Sequence, residues 1–187
     1  MKLENYLKYE TKLEEKTIIL LDELFDHNEF EKGHILLSEG NKSQKIFYVE
    51  EGLLRLYYNK DGKDITQQFF VEKMFYKPIE NILLNKNYPY QLELLEAGKI
   101  RTANFNDIEI IMETDKKLQY FVRFMLTTII KTLSDRLFSI QFQSAQERYN
   151  ALIENEPELL LRVSLGHIAS YLGITQSTLS VIRASKK

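Results

Sequence analysis

Apolar and polar positions follow three rhythms along this chain. Over residues 3–30, Leu3, Leu7, Leu13, Ile18, Leu21, Leu24 and Phe25 recur at roughly helical spacing between charges, which predicts helix. From about 33 to 105 the rhythm shortens. Segments rich in β-branched and aromatic residues, such as KIFYVEE, LLRLYYN and DITQQFFV, are punctuated by Gly33, Gly40, Gly52 and Gly62, and YQLELLEA and KIRTANF follow. Short strands at regular intervals, with NKDGK as the clearest hairpin turn, predict an antiparallel sandwich or barrel. Helical spacing then returns. Asn106 with Glu109 predicts a capping box, and Phe105 with Ile110 a hydrophobic staple. Over 115–143 a stripe through Leu118, Phe121, Val122, Met125, Ile129, Leu133, Leu137 and Ile140 runs without Pro or Gly. Such a helix is about 40 Å long at 1.5 Å per residue, too long for one small barrel to cover. The stripe therefore predicts pairing with a second copy through Leu118, Val122, Met125, Ile129, Leu133 and Ile140. Ser144 and Glu147 form a second predicted capping box.

The segment from Leu165 to Arg183 reads as helix, tight turn, helix. Leu165, Ile168, Ala169 and Leu172 form an inner face, and Ala169 is small where the helices cross. Gly173 supplies the left-handed turn residue, Ile174 fills the corner, and Thr175 caps the second helix. Leu179 and Ile182 point inward, leaving Gln176, Ser177, Ser180, Val181 and Arg183 outward. This is the spacing of a helix-turn-helix with a polar and cationic recognition helix. Ser164 is placed to cap the first helix and to offer its hydroxyl to a phosphate.

Charge sharpens this reading. The chain has 187 residues and a net charge of −2, yet Leu159 to Lys187 holds no Asp or Glu beside Arg162, Arg183, Lys186 and Lys187. A basic tail on an acidic body suggests a short part that meets an anion. The residues expected to meet DNA are Ser164, Thr175, Gln176, Ser177, Thr178, Ser180, Arg183, Lys186 and Lys187. The absence of Cys excludes disulfides, thiolate metal sites and a cysteine nucleophile, and suits a cytoplasmic protein. No signal peptide or membrane span is expected. His27, His34 and His167 form no metal-binding pair, and no Gly-x-Ser-x-Gly, Gly-x-Gly-x-x-Gly or Walker loop occurs, so no enzyme activity, cofactor or metal is expected.

Lys32-Gly33-His34-Ile35-Leu36, Phe47 to Tyr57, Gln146-Glu147-Arg148-Tyr149 and Ile168 to Ile174 with Thr178-Leu179-Ser180 and Ile182-Arg183 together resemble the CRP/FNR (cyclic-AMP receptor protein) family of bacterial transcription regulators. The resemblance implies an α+β chain. A cyclic-nucleotide-binding-like jelly-roll barrel with flanking helices would occupy 1–114, a dimerisation helix 115–143, and a helix-turn-helix domain 144–187. It implies a homodimer on palindromic double-stranded DNA near promoters, with RNA polymerase as a further partner.

Three departures qualify it. Cyclic-nucleotide-binding members carry a Gly-Glu pair and a phosphate-binding Arg, but here no Gly lies between Gly62 and Gly98 and no Arg between Arg55 and Arg101. Lys77 or Lys86 offers only a point charge. Lys77, Glu80, Lys86 and Tyr88 are the effector-pocket candidates, for a small molecule other than cyclic AMP or for none. Ser177 and Val181 stand where the family commonly has Glu and Arg, so its operator preference is not carried over. No β-wing of the kind that often follows the family's recognition helix is expected after Arg183. The competing reading is a small-molecule-binding barrel without a DNA role.

Overall fold

The computed structural model describes residues 1–87 and 89–184, with the backbone only at Glu80. The chain divides into two compact units: residues 1–58 with 68–125, and residues 59–67 with 126–187.

In the first unit α1 (Leu3–Glu10) and α2 (Glu15–Leu24) precede eight strands: β1 (Asp26–Phe30), β2 (Ile35–Leu37), β3 (Lys45–Glu51), β4 (Leu54–Lys60), β5 (Lys63–Phe70), β6 (Phe75–Tyr76), β7 (Gln91–Leu94) and β8 (Gly98–Asn104). The short helix α3 (Ile79–Leu84) lies between β6 and β7. The strands form two four-stranded sheets, ordered β1-β8-β3-β6 and β2-β7-β4-β5. Alternation of side chains across the strands places Phe47, Val49, Leu54, Leu56, Leu92, Leu94 and Ile100 in one buried cluster with Phe70 and Tyr76. The antiparallel sandwich or barrel expected from the glycine-punctuated segments is therefore present, in the jelly-roll form that the resemblance implied. Glycine is needed where β3 meets β8: a Cβ at Gly98 would lie 2.4 Å from the Glu51 carbonyl oxygen, and Gly52 has φ +105°.

A second core forms on the opposite side of β3 and β8. Leu3, Leu7, Ile18, Leu21 and Phe25 pack there with Tyr48, Ala103, Ile108 and Leu118. At its margin Arg101, which is 2% exposed, donates to Asp22, Glu50 and the Phe25 carbonyl.

Two local expectations give way here. Residues 26–30 are not helical but form β1, paired from Asp26↔Thr102 to Phe30↔Gly98. The helix at 105 begins two residues earlier than its capping signal: α4 spans Phe105–Thr114, its N-cap is Asn104, and that side chain makes no capping bond. Phe105 is buried while Ile110 is 65% exposed, so the staple does not form. The chain passes straight from β8 into the helix, and Phe105 N–H is held by the Gln44 carbonyl at 2.8 Å.

α5 (Lys116–Phe142) is continuous for 27 residues. It is followed by α6 (Ala145–Asn155), α7 (Leu159–Arg162), α8 (Leu165–Tyr171) and α9 (Gln176–Ala184). The Ser144–Glu147 capping box forms in both directions. Among the described residues, no helix is long and apolar enough to cross a membrane.

Candidate nucleic-acid interface and effector region

The α8–α9 pair has the expected anatomy. Ile168, Ala169, Leu172, Leu179 and Ile182 are buried, which turns the opposite faces outward. Gly173 has φ +68°, and its N–H and that of Ile174 return to the carbonyls of Ser170 and Ala169. These bonds close α8 and reverse the chain within a few residues. Ser164 Oγ accepts the His167 N–H at 3.2 Å, and Thr175 Oγ1 accepts the Thr178 N–H at 3.1 Å.

Gln176, Ser177, Thr178, Ser180 and Arg183 are exposed, as is Val181. Thr175 Oγ1 also lies 2.8 Å from the hydroxyls of Ser177 and Thr178, forming a hydroxyl cluster at the start of α9. Ser180 Oγ donates back to the Gln176 carbonyl. That spends its proton and leaves lone pairs outward. The outer face thus offers an amide, several hydroxyls and a guanidinium without a carboxylate. Lys186 and Lys187 lie outside the described residues.

Two arginines that spacing did not single out hold this pair in place. Arg136 on α5 stacks over the Tyr171 ring at 4.2 Å and donates to the Tyr171 carbonyl at 3.0 Å. Arg148 on α6 donates to the Leu172 carbonyl at 3.0 Å and to the Gln143 carbonyl at 2.6 Å. Two cations thus cap the carbonyl end of α8. The Gln146-Glu147-Arg148-Tyr149 motif marked the position of Arg148; nothing in the sequence marked Arg136.

The long helix presents two kinds of apolar surface. Leu118 is 1% exposed and, with Phe121 and Val122, packs in the second core of its own chain. Leu118 is thus withdrawn from the expected seam, because the intrachain core already covers it. Met125 and Ile129 are half-buried. Leu133 and Ile140 are exposed, and Leu126, Ile130 and Leu137 join them. The exposed stripe Leu126, Ile130, Leu133, Leu137, Ile140 repeats by four and three, a heptad seam about 21 Å long.

Of the effector candidates, the structure describes the side chains of Lys77 and Lys86. Lys77 Nζ sits 3.2 Å from the centre of the Phe105 ring, and burial lowers its pKa against the opposing pull of Glu109. Lys86 is exposed. The side chain of Glu80, and Tyr88, lie outside the described residues. The organising residue of this region is Asn81, which is 1% exposed. Its Oδ1 accepts the Ser43 N–H at 3.1 Å, and its Nδ2 donates to the carbonyls of Lys86 and Asn41 at 2.6 and 3.4 Å. One amide side chain ties the loop before β3 to the loop after α3.

Residues 27–115 match the cyclic nucleotide-binding domain family. No curated protein sequence matches the chain. Solved structures share the fold. FixK2 from Bradyrhizobium japonicum is 18% identical with a TM-score of 0.73, covering 86% of this chain and 83% of its own. A CooA mutant from Carboxydothermus hydrogenoformans is 18% identical with a TM-score of 0.76, covering 99% and 84%. A putative transcriptional regulator of the CRP/FNR family from Eubacterium rectale is 15% identical with a TM-score of 0.71, covering 95% and 85%.

Proposed function

We propose that this chain, which has the CRP/FNR architecture, is a homodimeric transcription regulator that binds palindromic DNA through α8 and α9 and does not respond to cyclic AMP. The observation that carries the reading is the outward face of α9. It exposes Gln176, Ser177, Ser180 and Arg183 in a stretch of sequence without Asp or Glu. An amide can pair bidentately with adenine, and a guanidinium can bind phosphate or guanine. Ser164 and Arg183 supply backbone contacts, and Lys186 and Lys187, outside the described residues, add two positive charges to this stretch of sequence. The heptad stripe from Leu126 to Ile140 supports the homodimer, since an exposed apolar seam is covered most simply by its own copy. In such a dimer the two recognition helices enter successive major grooves about 34 Å apart.

Selection from random duplex DNA at stated salt tests this directly. A two-fold symmetric motif is expected, with affinity falling as salt rises. Recovery of no symmetric motif would leave α9 as a packing element and favour the small-molecule barrel without a DNA role. Insensitivity to cyclic AMP rests on the lack of Arg between Arg55 and Arg101 and on the Asn81 ties. Calorimetry should show no binding at micromolar nucleotide; a micromolar or tighter dissociation constant refutes that part alone.

A further inference from the structure

The tip of the β4–β5 hairpin, residues 59–67, belongs to the second unit, and the Ser170 hydroxyl bonds it to the helix-turn-helix. Ser170 Oγ on α8 accepts the Thr66 N–H at 2.9 Å and donates to the Asp64 carbonyl at 2.9 Å. β5 is the edge strand of its sheet. The carbonyl of one residue and the N–H two residues on face the same side of a strand, and a neighbouring strand would normally engage both. Here a single hydroxyl, donor and acceptor at once, takes that place. The edge is thereby closed by the DNA-reading element rather than by another strand.

The holds on this part of α8 are consecutive. Ser170 is bound by the hairpin, the Tyr171 carbonyl by Arg136 of α5, and the Leu172 carbonyl by Arg148 of α6. The next residue is Gly173, whose left-handed conformation sets the direction of α9. We propose that Ser170 is a positioning residue that couples the β4–β5 hairpin to the α8–α9 turn, so that a displacement of the hairpin reaches the recognition helix. The coupling runs both ways, as linkage requires. Its regulatory use rests on the DNA-binding reading above, but the coupling itself can be tested without DNA.

The experiment is amide hydrogen exchange by NMR on the full chain. Ser170→Ala removes both bonds and should speed exchange of the Thr66 amide roughly 5- to 30-fold. The Gly62 amide, held by Asn59 Oδ1, should keep its rate. Ser170→Thr retains the hydroxyl and should restore protection at Thr66. From the other side, Asn59→Ala loosens the hairpin turn by removing bonds to Gly62 and Asp64. It should speed exchange at Gly173 and Ile174 in the otherwise wild-type chain, but not when Ser170 is already Ala. An unchanged Thr66 rate in Ser170→Ala overturns the proposal, as does an Asn59→Ala effect at the turn that survives without the hydroxyl. Failure of DNA selection with these exchange results intact would refute the DNA reading alone.

Discussion

Replacing Arg101 with Met tests how the N-terminal helices are fastened to the sheet. The guanidinium donates to Asp22 Oδ1 at 2.9 Å, to Glu50 Oε1 at 3.2 Å, and to the Phe25 carbonyl through Nε at 3.1 Å and a terminal nitrogen at 2.8 Å. Glu50 is itself buried and otherwise receives the Leu3 N–H at 2.9 Å. Met fills much of the volume but leaves the buried Glu50 carboxylate without its guanidinium partner. Breaking a buried pair from one side costs about 3–5 kcal/mol, because the orphaned charge stays desolvated. In a chain of this length about 2–4 °C is lost per kcal/mol, so the melting temperature of the first unit should fall by about 6–20 °C. Urea and thermal unfolding followed by far-ultraviolet circular dichroism measure both. Adding Glu50→Gln to Arg101→Met should recover part of the loss, since the neutral amide has no charge to strand. A loss below about 1 kcal/mol for Arg101→Met, or no recovery in the double variant, would refute the argument that the ion pair holds this junction.

Three further outcomes are expected. Ile130→Glu with Leu137→Glu places carboxylates on the exposed α5 stripe and should abolish the proposed dimer, giving monomer mass by light scattering without loss of helix content, whereas a dimer mass unchanged from wild type would remove α5 as the interface. Gln176→Ala should weaken binding to the selected DNA by about 1–3 kcal/mol and relax preference at one base pair per half-site, read by anisotropy on matched and mutated sites. Asp115 is held below the usual carboxylate range chiefly by the Thr17 hydroxyl, aided by the Leu118 N–H. Because its folded pKa is depressed, the stability it confers is present above its unfolded pKa and is lost as pH falls through the folded value. Thr17→Val should therefore raise the Asp115 titration midpoint measured by NMR and shrink that acid-side loss.

The sequence alone determined the elements whose signals are local. Spacings of three and four revealed α5, α8 and α9, and alternation between glycines revealed the strands from Lys45 to Phe70. The Ser144–Glu147 box marked the start of α6, and Gly173 marked the turn, because each depends on residues adjacent along the chain. Only the tertiary structure decided what depends on distant partners. Asp26–Phe30 is short and polar, with no apolar alternation of its own; it is a strand because β8 supplies its ladder. Helical spacing showed that one face of α5 is apolar but not what covers it, and the structure assigns Leu118 to its own chain while leaving Leu133 exposed. Asn81, Arg136 and Ser170 carry no signature of their own, since an amide, a guanidinium or a hydroxyl acquires its role from the backbone it meets. For Ser170 that backbone lies more than a hundred residues earlier in the chain, a proximity that periodicity cannot encode and only folding creates.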